Sequence, residues 1–173
     1  MAKSFFTNHL GGIALATFLV VLALPAANAF GHATVLIDKT SNARAGQQGG
    51  FTLRIPHGCA GGAPTTNIVT MLSRSFTAVQ PQAVPGWTST VRHRRGQRWK
   101  IAWTTMGEGL PNAITGDFPL AVTWPDRAAT YGAPTVQYCP GTRFDWTERY
   151  DGPAVVGQPS PPIFPMPSIA VKR

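Results

Sequence analysis

The sequence predicts an all-β domain, a two-sheet antiparallel sandwich, and three observations carry that expectation. Short runs rich in β-branched and aromatic residues recur along the chain, with apolar and polar positions alternating. The 18 glycines and 16 prolines punctuate the joins between these runs and leave no room for a helix of ordinary length. Parity is clearest around the tryptophans. Trp99, Ile101 and Trp103 fall on one side of a strand with Lys100 and Ala102 on the other, and Phe118, Leu120, Val122 and Trp124 repeat the pattern.

Taken in order, residues 1–29 read as an export leader. Lys3 supplies the positive start, residues 10–24 form an uncharged apolar run, Pro25 breaks it, and Ala26, Ala27 and Ala29 are the small residues a signal peptidase needs. A signal-peptide helix is therefore expected ahead of the sandwich, with cleavage after residue 29 or as late as residue 31. A membrane anchor is the competing reading, but it needs about 20 apolar residues and this run is shorter. Strands are expected at 34–37, 51–55, 68–72, 76–79, 87–93, 99–104, 118–124, 135–138 and 144–147. That number of short strands implies two packed sheets, an immunoglobulin-like arrangement, over residues 32–151. Residues 152–173 are proline-rich and expected to run extended, with 168–171 able to add an edge strand. The roughly 140 residues after the leader suffice for one domain and one core.

The formal net charge is +8. Such an excess suits an anionic partner or serves solubility, and in an exported chain with few charges solubility comes first. Cys59 and Cys139 are the two cysteines. In an oxidising compartment they are expected to pair, closing a long loop that contributes about 4 kcal/mol in the chain-entropy view. A thiolate metal site is the alternative, and that compartment argues against it.

His32 is the first candidate for chemistry. Cleavage after Ala29 leaves Phe30-Gly31-His32 at the new terminus. A histidine in third place, behind a free amine and two ionisable amides, wraps Cu(II) or Ni(II) in a square of nitrogens. Cleavage after Gly31 makes His32 the first residue, whose amine and ring then chelate one ion. On spacing alone, a histidine in a leader with no role stands level with these readings. His57, in Ile55-Pro56-His57-Gly58-Cys59, is a candidate second imidazole or a plain turn residue. His93 sits among Arg92, Arg94 and Arg95, where positive charge discourages a cation. The cluster Arg92, Arg94, Arg95, Arg98 and Lys100 around Gly96 reads as a solvated hairpin tip. Its neighbours Trp87 and Trp99 fall on apolar parities, so nucleic acid is not expected.

Carboxylates are few, and none lies between Asp38 and Glu108. No spacing singles out a hydrolytic pair, and nucleophile-elbow, phosphate-loop, zinc-protease and dinucleotide motifs are absent. The sequence offers little for an enzyme.

Several pieces together resemble the YcnI-like copper-binding domain family. They are His32 with Ala33-Thr34-Val35, Arg54 through Cys59, Pro64-Thr65-Thr66, Pro85-Gly86-Trp87 and Trp103-Thr104. Leu110-Pro111, Gly116-Asp117-Phe118, Pro134 through Cys139, Trp146 and Pro165-Met166-Pro167-Ser168 complete the match. The resemblance implies an exported β-sandwich that stores copper or passes it to another envelope copper protein, in the periplasm or outside the cell. It also implies a monohistidine brace, with His32 as the brace histidine and Trp146 as the tryptophan close to the metal. The family's acid does not carry over, because Ala60, Gly61 and Gly62 stand in its stretch. His57 is then the third donor, or Asp145 or Glu148 beside Trp146. Some relatives end in a membrane helix, and none is expected here. Two other classes stay in view: an envelope interaction module using the basic hairpin, and a redox enzyme using a copper brace with open positions.

Overall fold

A computed structural model describes residues 31–39, 42–149 and 163–173. The expected leader, and most of the proline-rich stretch after residue 151, lie outside the described residues. β-Branched and aromatic runs become strands because alternate side chains find a partner sheet to cover them. The strands are β1 (Thr34–Ile37), β2 (Gln48–Ile55), β3 (Asn67–Leu72), β4 (Ala78–Pro81), β5 (Trp87–Arg92) and β6 (Trp99–Thr105). They continue with β7 (Gly116–Thr123), β8 (Ala129–Gly132), β9 (Thr135–Cys139), β10 (Thr142–Trp146) and β11 (Ser168–Val171). A 3-10 turn, Ala60–Gly62, follows Cys59.

One sheet runs in the order β1-β2-β7-β4 and the other in the order β10-β9-β3-β6-β5, with β11-β8 forming a two-stranded ribbon. The pairings are antiparallel. The expected two-sheet sandwich is the observed fold. Register explains the core. Phe51 stands opposite Leu120 and Leu53 opposite Phe118, so both strands send large apolar side chains to the same face. Across the gap Trp103 packs on Phe118 with ring centroids 5.4 Å apart, and Trp124 lies 6.0 Å from Phe51 and 6.2 Å from Phe76. Leu53, Ile55, Ile68, Leu72 and Ile101 are fully buried. Each such aliphatic side chain contributes roughly 1.5–3 kcal/mol on leaving water.

Differences from the sequence expectation are local. Phe76 precedes its strand, buried in a turn whose amide donates to the Ser73 carbonyl at 3.2 Å. β8 was not expected, because Ala129-Thr130-Tyr131-Gly132 has no apolar alternation. It forms by pairing with β11, Ser168 opposite Gly132 and Val171 opposite Ala129. Ile169 and Val171 enter the core, so the end of the chain is packed there.

Candidate metal centre

The site is built where β1 begins and β2 ends. Thr34 stands opposite Arg54, so the chain before β1 runs back beside the chain after β2. Gly31 lies so close to Pro56 that an added Cβ would come within 2.6 Å of the proline Cβ. His32 is half-buried, Ala33 is buried and Thr34 is exposed, an alternation that puts His32 on the side of Thr34. His32 and His57 are thus brought to one end of the sandwich, on neighbouring chain segments.

His57 is oriented by its own backbone neighbourhood. Its Nδ1 lies 2.5 Å from the Gly58 carbonyl oxygen. A carbonyl only accepts, so in the neutral ring this contact puts the proton on Nδ1 and the lone pair on Nε2. The ring stands edge-on to Phe144, centroids 6.3 Å apart. Gly58 is required here, since a Cβ would meet the Ala63 carbonyl oxygen at 2.6 Å and the Asn112 Cα at 2.9 Å. Cys59, next in sequence, forms the disulfide with Cys139 and ties this loop to the end of β9. The expected pairing is observed, and neither thiol is free.

Beneath the loop lies a buried polar network that the sequence did not flag. The amide of Gln137, fully buried, donates to the His57 carbonyl oxygen and to Thr65 Oγ1, both at 2.7 Å. Its Oε1 accepts from Trp146 Nε1 at 3.0 Å. Gln137 shares the inward parity of Thr135 and Cys139 on β9, a polar side chain on an apolar face, and that was the available signal. Trp146 is only 2% exposed and lies one ring below His57, against Phe144 at 5.8 Å and Phe164 at 5.4 Å.

The acids beside Trp146 are engaged elsewhere. Asp145 occupies the opposite parity on β10 and accepts from Arg143 at 3.0 Å. Glu148 Oε2 accepts from the Phe164 amide at 3.1 Å and so holds the returning segment of chain. His93 stacks on Trp99 at the far end of the molecule, centroids 3.9 Å apart. Among the described residues no group of three or more His, Cys, Asp or Glu side chains could hold a metal ion. Asp117 stands across from Arg54, which donates to both its carboxylate oxygens at 2.8 Å. These hydrogen bonds hold the Asp117 carboxyl below its ordinary range, aided by the guanidinium charge and opposed by desolvation.

Residues 32–164 match the family described as "Domain of unknown function (DUF1775)". Among solved structures the chain is similar to an uncharacterized protein from Nocardia farcinica whose crystal structure reveals an immunoglobulin-like fold. The TM-score is 0.65 at 23% identity, with 81% of this chain and 99% of that chain covered. At that identity the likeness carries the fold, and it makes this sandwich immunoglobulin-like. No curated protein matches the chain. With the family match taking in the sandwich from His32 to Phe164, the chain belongs to the DUF1775 family.

Proposed function

We propose that this chain is an exported copper-binding protein, a carrier or store without catalysis, that takes Cu(II) through His32 once the leader is removed. The observation that carries the reading is the His57 ring. Its Nδ1 proton is given to a backbone carbonyl, which leaves Nε2 free to donate, the arrangement that metal-binding imidazoles use. His32 belongs to the chain segment running alongside. The resemblance to YcnI-like copper-binding domains supports the same reading, as does a family match that begins at His32.

The donor chemistry fits copper. Both cysteine sulfurs are held in the disulfide, and Asp145 and Glu148 already have partners. Nitrogen donors remain: two imidazoles, a freed α-amine and the amides next to it. Such a set in a square suits Cu(II). If His32 is the first residue, its amine and ring bind together. If it is third, two amides lie between amine and ring. His57 is the favoured additional donor, and the Phe144 and Trp146 rings wall the inner side of its loop. Copper is cargo here, and a site at one end of the molecule lets another envelope protein receive it.

The test uses protein exported by cells, with its first residue read by mass spectrometry. The mature chain, loaded with Cu(II) and desalted, should retain stoichiometric copper. His32→Ala should abolish retention, and His57→Ala should weaken binding about tenfold, the loss of one imidazole. A His32→Ala protein that holds as much copper as the unaltered one ends the proposal.

A further inference from the structure

At the opposite end of the sandwich, β5 and β6 project a hairpin that concentrates positive charge. Its tip closes with the Gln97 amide donating to the Arg94 carbonyl at 2.8 Å, and Gly96 takes the positive φ of 77° that the turn needs. Arg92, Arg94, Arg95, Arg98 and Lys100 are all exposed. The register sets Arg92 directly opposite Lys100, a like-charge pair that costs stability unless an anion sits near it. The hairpin is nevertheless held firmly. Trp99 Nε1 donates to the Phe76 carbonyl at 2.8 Å, and His93 stacks on the same indole. The arginines are therefore presented on a rigid base rather than on a loose loop.

Beside the foot of this hairpin is a cleft of about 570 Å³, within the size range of small-ligand sites. Arg98 enters it from the hairpin and Arg149 from the chain after β10. Ser73, Thr130, Thr147 and Ser168 bring hydroxyl-bearing side chains, Tyr131, Gly132, Pro134 and Met166 complete the lining, and among the described residues no carboxylate lines it. Neither arginine makes an ion pair among the described residues. Two guanidinium groups without an ion-pair partner among the described residues, with Thr130 and Ser168 beside them, match the many lone pairs of a tetrahedral oxyanion. The Ser73 and Thr147 hydroxyls donate to Ser75 and Asp145. The cleft is larger than a bare phosphate, so it has room for the organic part of an ester.

We infer that this cleft is a phosphate-binding site, with Arg98 and Arg149 as its anchors and the hairpin arginines as the field that draws the anion in. The ligand class is a phosphate ester, whether a soluble phosphate or the headgroup of an anionic lipid. The attraction is long-range and weakens with salt. It does not depend on copper.

Inorganic phosphate and pyrophosphate, titrated at low salt by calorimetry, and co-sedimentation with vesicles of equal parts phosphatidylcholine and phosphatidylglycerol test the two sources. Saturable binding should weaken about tenfold in Arg98→Gln and in Arg149→Gln, one charge-assisted contact each. Arg143→Gln, an exposed arginine on β10, should bind like the unaltered chain. Amide shifts on phosphate addition should cluster at Ser73, Arg98, Thr130 and Arg149, a readout that needs no variant. Soluble phosphate binding identifies a free ester as the source, and vesicle binding alone with the same arginine dependence identifies a headgroup. Absence of binding to either probe, shifts spread over the whole basic surface, or an equal loss in Arg143→Gln overturns the site.

Discussion

At one end of the sandwich His57 rests on Gln137, Thr65 and Trp146, a buried chain of hydrogen bonds locked by the Cys59–Cys139 disulfide. At the other end Arg92, Arg94, Arg95, Arg98 and Lys100 stand in water, and their hairpin is pinned by a single indole. The first end satisfies its polar groups internally and leaves one imidazole nitrogen to offer. The second leaves charge unsatisfied. A site of the first kind selects by geometry and donor type, whereas one of the second kind attracts by field and selects little until an anion enters the cleft. Placing the two at opposite ends would keep repulsion by the hairpin arginines away from the cation proposed near His32.

That contrast can be broken by changes confined to one end. The largest effect is expected for Cys59→Ser with Cys139→Ser, which releases a loop spanning 80 residues. Urea unfolding should show a loss of about 4 kcal/mol, while phosphate binding under native conditions stays unchanged. A variant that lost the phosphate site as well would join the two ends into one unit. Next comes Gln137→Leu, which removes a partner from the part-buried His57 carbonyl and strands the buried Thr65 Oγ1 and Trp146 Nε1. A cost of about 2–3 kcal/mol is expected from the unfolding midpoint, together with weaker copper retention as the His57 loop loses its support. Full copper retention in a folded Gln137→Leu protein would separate the network from the site.

The smallest effect concerns Arg54 and Asp117. Because the folded carboxyl titrates below its ordinary value of 3.8, its contribution is complete above that value and is lost as pH falls below it. The two side chains are 42% and 47% exposed, so solvent screening limits the pair to about 0.5 kcal/mol. Asp117→Asn should flatten that acid limb in a pH series of thermal midpoints. An unchanged limb would mean the pair adds nothing.

Strand positions were legible because a half-buried strand writes its two faces into alternate residues. β2, β6 and β7 show it in Phe51-Leu53-Ile55, Trp99-Ile101-Trp103 and Phe118-Leu120-Val122. β8 was not legible. Its strand character comes from β11, a partner far along the chain, and local composition carries no trace of it. The cysteine pairing followed from the count of two and from the expectation of an oxidising compartment, and the structure realises the pairing. For the site, the histidines could be named in sequence, but the acids chosen beside Trp146 were chosen by adjacency. On a strand, adjacency puts side chains on opposite faces, and Asp145 accordingly points away from Trp146 to meet Arg143.

By itself, the order of residues determined the alternation, the turns and the two cysteines, because these depend on local chemistry. Only the tertiary structure decided that Gln137 would reach under His57, that Arg98 and Arg149 would share a cleft, and that His32 would run beside Pro56. Those meetings join residues far apart in sequence, and sheet register, set by burial of the whole core, is what brings them together.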